Sequence, residues 1–383
     1  MNIDELLRAT CELDASDLHL KAGSRPNVRV HGNLRALDPF PALTAEDARS
    51  MAAAMLSTPL QRDKFRQANE LDIAYELAGV GRFRVNIFQQ RGSVALSLRV
   101  IPRVIRSFQD LALPKILERI SDERRGLVLV TGTAGSGKST TLAAIIDRIN
   151  SMRGDLIITI EDPLEFLHTD KQGFVLQREV EIDTADFGMG LRAALRQDPD
   201  VILVGEMRDL ETMETALVAA ETGHMVYSTL HTLDATETVQ RVIAGFPLSE
   251  QEQIRLQLAS TLKAVVSQRL VKTADGVGRV PAVEVLINTE YIRDCIRNPE
   301  KTRLIPDAIA AGVSQYGMQT FDQSLYDLYT LGRITLDEAL LHASKPDELR
   351  LRVTGIRSAA DSTRDVMADV VERPQVERFA QRS

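Results

Sequence analysis

"VLVTGTAGSGKSTTLAAII", residues 128–146, is the stretch whose reading decides the fold. Gly132-Thr133-Ala134-Gly135-Ser136-Gly137-Lys138-Ser139 fits the phosphate-binding pattern GxxxxGK[ST] at every fixed position. The apolar residues 127–130 before it read as a buried strand. Thr140 to Ile149 after it carries Leu142, Ile145, Ile146 and Ile149 at helical spacing. Strand, glycine loop and helix are the context the motif requires. Glycines let the backbone curl until its N–H groups converge on phosphate oxygens, and the helix start adds partial positive charge. Lys138 is placed to neutralise the β- and γ-phosphates, and Ser139 to hold Mg²⁺. The binding segment runs through Thr140, and ATP with Mg²⁺ is the expected ligand pair.

The rest of the composition narrows the class. A chain of 383 residues is long enough for two or three domains. No apolar run approaches the roughly 20 residues of a membrane span. The N-terminal MNIDELLRATCELDASD is acidic and amphipathic, unlike a secretory signal. Cys11 and Cys295, the two cysteines, are too far apart and too few for a disulfide framework or a four-cysteine zinc site, and suit a reducing compartment. With 46 basic against 54 acidic residues the net charge is −8, so the basic excess of a general nucleic-acid binder is missing.

Residues 1–103 read as a small α/β domain. Val28-Arg29-Val30 and Phe83 to Phe88 alternate as half-buried strands do, Val94 to Ile101 continues that character, and Ala45 to Phe65 reads as helical. Residues 104–110 form the expected linker. From Leu111 to Val353 strands alternate with helices, which implies a parallel sheet. Expected strands cover 127–131, 156–160, 201–204 and 225–229. Asp209 to Thr222 is an expected helix closed by Gly223. Ser249-Glu250-Gln251-Glu252 has the form of a capping box opening a helix with Ile254, Leu258, Leu262 and Val265 on one face. Shorter helical segments follow from Tyr291 to Leu351. The tail, 354–383, mixes ten charged residues with one aromatic, Phe379, and has the composition of a mobile segment.

Three stretches downstream of the loop offer the acids and sensors that nucleotide hydrolysis needs. In "IITIEDPLEF", residues 157–166, an apolar run delivers Glu161, Asp162 and Glu165, although Glu161 has equal standing as a helix cap. In "DPDVILVGEMRD", residues 198–209, a buried strand ends in Gly205-Glu206, and Glu206 is placed to act on water directly or through Mg²⁺. In "ETGHMVYSTLHT", residues 221–232, His224 and His231 bracket an apolar strand. On spacing alone a structural role for these histidines is favoured two to one, and no third residue near them completes a metal site.

Taken together, "GTAGSGKST", "IEDPLEF", "DPDVILVGEMRD" and "AAETGHMVYSTLHT" resemble, in order and rough spacing, the Walker A, Asp box, Walker B and His box of secretion-superfamily ATPases. Upstream, "ASDLHLKAGSRPNVRVHGNL" and "GRFRVNIFQQRG" resemble the N-terminal domain of the type IV pilus retraction ATPases, the PilT/PilU family. The resemblance covers about residues 1 to 350. It implies a RecA-like ATPase domain joined to a smaller PAS-like α/β N-terminal domain, in a homohexameric ring with nucleotide between the domains. It implies Glu165 as the water-activating base, Glu206 as support for Mg²⁺ and water, and His224 and His231 as sensors of the γ-phosphate. By position, Arg82, Arg84 and Arg99 are its phosphate-reaching arginines, with pairing to surface acids as the equal alternative.

The same resemblance implies ATP hydrolysis that powers pilus retraction and twitching motility, a cytoplasmic location at the inner membrane, and an inner-membrane platform protein and a PilT/PilU paralogue as partners. "VEVLINTEYIRDCIR", residues 283–297, keeps Ile292, Arg293, Ile296 and Arg297 of the AIRNLIRE retraction motif but places Asp294, Cys295 and Asn298 where that motif has other residues. Residues 317–353 look more like PilU, whereas the Walker B stretch looks more like PilT. A nucleic-acid motor is disfavoured by the acidic balance and by the absence of Trp, which leaves little stacking surface. A pilus-assembly or type II secretion ATPase is disfavoured by the cysteine count, and a non-hydrolysing regulatory subunit by the intact acids.

Overall fold

The computed structural model describes residues 1–30, 32–102 and 104–355. Two compact units emerge: residues 1–104 with 163–167, and residues 105–162 with 168 onward. The expected tail beyond 355 lies outside the described residues.

The first unit is built on a six-stranded antiparallel sheet. Its strands are β1 (Asp17–Lys21), β2 (Asn27–Val30), β3 (Asn33–Ala36), β4 (Glu70–Leu77), β5 (Gly81–Gln90) and β6 (Ser93–Ile101), in the order β3-β2-β1-β6-β5-β4. Period-two alternation sends Leu18, Leu20, Phe83, Val85, Ile87, Leu96 and Leu98 to one face, where they pack with Leu6 and Leu7 of helix Ile3–Glu12 and Met51 and Met55 of helix Ala45–Met55. The other face carries the polar residues. The helix expected over 45–65 is in fact two, Ala45–Met55 and Pro59–Ala68. Pro59 has no N–H to continue a helix from the preceding turn, and the Thr58 side chain accepts from Gln61 N as a new N-cap.

The second unit holds β7 (Gly126–Thr131), β8 (Leu156–Glu161), β9 (Phe174–Glu179), β10 (Val201–Val204), β11 (Met225–Leu230), β12 (Leu262–Lys272) and β13 (Arg279–Ile287). Their order is β13-β12-β7-β11-β10-β8-β9, and every pairing is parallel except β12 with β13. This is the parallel sheet that the strand-helix alternation predicts, and it fits the RecA-like domain that the resemblance implies. Leu127 and Leu129 of β7 enter one core and Val128 and Val130 the opposite one. Both faces of the strand are therefore buried, which is why it reads as an unbroken apolar run. Because β7, β8, β10 and β11 are parallel, the loops that follow them converge on one edge, where ligands bind in such sheets. Smaller helices between Glu290 and Val353 complete the unit. Among the described residues, no helix is long and apolar enough to cross a membrane.

The segment after Ser249 departs from its sequence pattern. The helix spans Gln251–Thr261 only, and Leu262 and Val265 belong to β12, paired with Leu127 and Leu129 of β7. No capping box forms: Glu250 is already helical in backbone and its N–H donates to Pro247 O, so the chain enters the helix from a turn.

Candidate nucleotide site

The loop between β7 and the helix Lys138–Met152 curls as the glycine pattern requires. Gly132, Gly135 and Gly137 have φ of 141°, 76° and 92°, angles that cost side-chain-bearing residues energy. Gly132 is also sterically obligatory. A Cβ there would lie 2.4 Å from Gln268 O and 2.6 Å from Ser136 Oγ. The Ser136 hydroxyl is buried and has no hydrogen-bond partner among the described residues. An unpaired buried hydroxyl is costly, and its place inside the cradle fits an anionic ligand's oxygen. Lys138 is buried, and its Nζ donates to Gly132 O at 2.7 Å and Thr133 O at 3.0 Å. The ammonium is thus held across the mouth of the loop. Thr133 and Ala134 form its exposed rim, while Ser139 and Thr140 sit half-buried in the first turn of the helix.

Strand register brings the other motifs to this edge. Leu230 of β11 pairs with Thr131 of β7, so His231 emerges beside Gly132. Val204 of β10 pairs with Ser228 of β11 on one side and Ile160 of β8 on the other, so Glu206 emerges between the His231 loop and Asp162. The Thr229 hydroxyl donates to Gly205 O at 2.7 Å and fixes that turn. His231 Nδ1 lies 3.5 Å from Lys138 Nζ, and its Nε2 lies 3.3 Å from Glu206 Oε1. A neutral imidazole protonated on Nε2 satisfies both neighbours: it donates to the carboxylate and accepts from the ammonium. The second Glu206 oxygen accepts from Arg208 Nε at 2.8 Å, and Arg208 reaches on to Asp162 at 3.8 Å. Lysine, imidazole, carboxylate and guanidinium therefore form one row along the sheet edge.

Arg208 was missed as a site residue in the sequence. The available signal was its place two residues after Glu206, one turn of chain that brings a cation back onto the carboxylate. Glu161 ends β8, and its carboxylate accepts from Gln177 Nε2 at 3.4 Å, so it faces β9 rather than capping a helix. The structure does not bring His224 to the loop. It precedes Met225, which pairs with Gly126, so it stands at the opposite end of β11 from His231. Its Nδ1 lies 3.0 Å from Ala219 O and 3.3 Å from Thr222 Oγ1, and it closes the preceding helix. A γ-phosphate contact in its own subunit is therefore out of its reach.

The remaining candidates lie in the first unit. Glu165 is exposed and pairs with no described residue. Arg84 pairs in register with Arg99, and Arg82 stands two residues along the same strand, so all three share the polar face of the sheet. Arg99 is engaged by Asp17 at 2.9 Å; burial pushes the Asp17 carboxyl up, but the Ser16 hydroxyl and then Arg99 outweigh it and draw the carboxyl below its usual range. Arg84 is exposed and has no partner among the described residues.

Comparison with known proteins places this geometry. Residues 2–370 match the model of the type II/IV secretion system protein family. The chain is 45% identical to the type IV pilus retractation ATPase PilT of Pseudomonas aeruginosa over 91% of its length and 99% of the relative's. It is 42% identical to the type IV pilus ATPase PilU of the same organism over 94% of each. A crystal structure of the pilus retraction motor PilT with bound ADP superimposes with a TM-score of 0.85 at 46% identity, covering 91% of this chain and 99% of that one. The ATPase DotB of Legionella pneumophila superimposes with a TM-score of 0.72 at 29% identity, covering 88% and 94%. The chain belongs to the type II/IV secretion system protein family and, within it, to the pilus retraction ATPases of the PilT and PilU kind.

Proposed function

We propose that this protein is a hexameric ATP-hydrolysing motor that powers type IV pilus retraction and so twitching motility. The observation that carries the reading is the row Lys138–His231–Glu206–Arg208 beside a glycine cradle. Such a row is suited to telling a triphosphate from a diphosphate, because it presents alternating charges where a γ-phosphate would end. The backbone N–H groups of residues 132–140 hold the β-phosphate, and Lys138 leaves the loop carbonyls for the β- and γ-oxygens. His231 reports whether the γ-phosphate is present. Glu206, held by Arg208 and His231, orients water. Glu165 serves as the base, and Arg84, with Arg82 and Arg99 beside it, supplies positive charge to phosphate.

The oxygen donors Ser139 and Glu206 fit Mg²⁺, a hard ion that keeps waters and phosphate oxygens among its ligands. When bound, Mg²⁺ neutralises charge on the β- and γ-phosphates. Loss of the γ-phosphate removes the negative charge that this row contacts, and in a ring such changes drive movement. Residues 1–103 and 111–353 act as the two domains of each subunit. The motor docks at the cytoplasmic side of the inner membrane on a platform protein of the pilus machine, beside a PilT/PilU paralogue.

The test is fibre retraction in a strain lacking this gene, complemented with wild type or with Lys138→Ala, with and without the paralogue. Retraction restored by wild type alone supports the reading. Retraction restored equally by Lys138→Ala removes it.

A further inference from the structure

A set of buried hydroxyls lies behind His231. Thr131 closes β7 and is paired in register with Ser267 of β12, and their hydroxyl oxygens are 2.8 Å apart. Thr232, the residue after His231, meets the Thr238 hydroxyl at 2.6 Å. Thr238 lies in the first turn of the helix Ala235–Ala244, and its oxygen is also 2.7 Å from Asp234 O and 3.5 Å from Thr131 Oγ1. Thr131, Ser267 and Thr238 are fully buried, and Thr232 is 4% exposed. Valine would fill the threonine volumes without needing a partner, so these hydroxyls are costly unless each is satisfied.

The proton count gives the set a direction. Thr238 has one proton, and Asp234 O, a carbonyl oxygen 2.7 Å away, can only accept it, whereas the Thr232 hydroxyl can donate. Thr232 therefore donates to Thr238, which fixes the rotamer of Thr232 and with it the backbone leaving His231. Two further ties close the same loop: Leu233 N donates to Glu237 Oε2 and Ala235 N to the buried Glu284 carboxyl. The 3.5 Å approach of Thr238 to Thr131 is long for an O–H···O bond. It marks the seam where the His231 loop meets the phosphate-loop strand.

We propose that Thr238, through its hydroxyl bond to Thr232, is a positioning residue that holds His231 in register with Lys138 and Glu206 for hydrolysis. The inference rests on the role given to His231 above. Thr238 touches neither nucleotide nor water; it acts through the histidine.

The experiment is a double-mutant cycle on ATP turnover by the full chain with Mg²⁺. Thr238→Val is expected to lower kcat by about tenfold with KM for ATP little changed, and Thr238→Ser, which keeps the hydroxyl, to stay within about twofold of wild type. In a His231→Ala background, Thr238→Val should add less than about twofold, because the residue it positions is gone. Where Thr238→Val fails to fold, Thr232→Val removes the opposite hydroxyl and is read the same way. Turnover unchanged in Thr238→Val, or an equal loss with and without His231, overturns the inference while leaving the ATPase reading in place. Unchanged turnover in His231→Ala overturns the role of the histidine itself, and the inference with it.

Discussion

His231 Nε2 lies 3.3 Å from Glu206 Oε1, while the other ring nitrogen faces Lys138 Nζ at 3.5 Å. One imidazole thus joins the residue that would bind the triphosphate to the carboxylate that would act on water. Binding and cleavage are separable at this junction, and the predictions follow from taking its members one at a time.

Lys138→Ala removes the only ammonium in the cradle and leaves Gly132 O and Thr133 O without that donor. Nucleotide binding should fall by about two orders of magnitude or more, since a charge-assisted contact to phosphate is lost in a partly desolvated site. Titration with a fluorescent ATP analogue checks this, and affinity near that of wild type would contradict it.

Arg208→Ala should leave ATP affinity close to wild type and slow hydrolysis by about tenfold, because Glu206 loses the guanidinium that fixes its second oxygen. Arg208 also spans to Asp162, so the loops after β8 and β10 lose a tie. Steady-state kinetics separate the two effects: a rise in KM with unchanged kcat would place Arg208 in binding instead.

Gly132→Ala and Gly135→Ala are predicted to differ sharply. At Gly132 a methyl group meets Gln268 O and Ser136 Oγ in addition to the strained φ, whereas at Gly135 there is open space and only the backbone angle to accommodate. Gly135→Ala should cost about 1–2 kcal/mol of stability, and Gly132→Ala distinctly more, with loss of nucleotide binding. Urea unfolding of both variants tests the order.

The buried Glu284 and the half-buried His168 give stability a defined pH dependence. Burial raises the Glu284 carboxyl from 4.5 to about 7, with Asp234 and Asp322 adding to the rise and Ala235 N–H and Arg269 opposing it. The native state therefore keeps a proton that the unfolded chain releases, and this contribution, complete below pH 4.5, disappears as pH rises through about 7. Burial lowers His168 from 6.5 to about 4, so its contribution is complete above pH 6.5 and disappears as pH falls toward 4. Between 4.5 and 6.5 the two proton differences offset, and the stability curve is flatter there than either group alone would make it. Glu284→Gln removes the first contribution. Its stability relative to wild type should rise between pH 5 and pH 8 by an amount on the order of 1–3 kcal/mol. Urea midpoints of both proteins at the two pH values check the sign, and a relative fall would contradict it.

The parts of this molecule legible in sequence are those where local pattern and tertiary role agree. Leu127 to Val130 is apolar throughout because both faces of β7 are buried, and the glycine spacing after it admits few other backbones. The place of Glu206 is legible because it ends an apolar run that register then aligns with the loop, whereas spacing alone favours a structural role for His231 and only the family resemblance points it to phosphate. His224 has the same sequence character, but a strand has two ends and composition does not say which faces the ligand. Leu262 and Val265 continue the helical spacing of Ile254 and Leu258, yet pairing with β7 takes them into a strand. Tertiary hydrogen bonding overrides a local period there. Thr131, Thr232, Thr238 and Ser267 left no trace in sequence, since their bonds span up to 136 positions.

The most direct test is phosphate release from ATP by the purified protein, measured across the concentrations at which it assembles, for wild type and Glu206→Gln. The account predicts turnover in the wild type and, in the variant, retained ATP binding with hydrolysis slowed by about a hundredfold or more. No release by the wild type in any assembly state, or equal release by the two proteins, would contradict it.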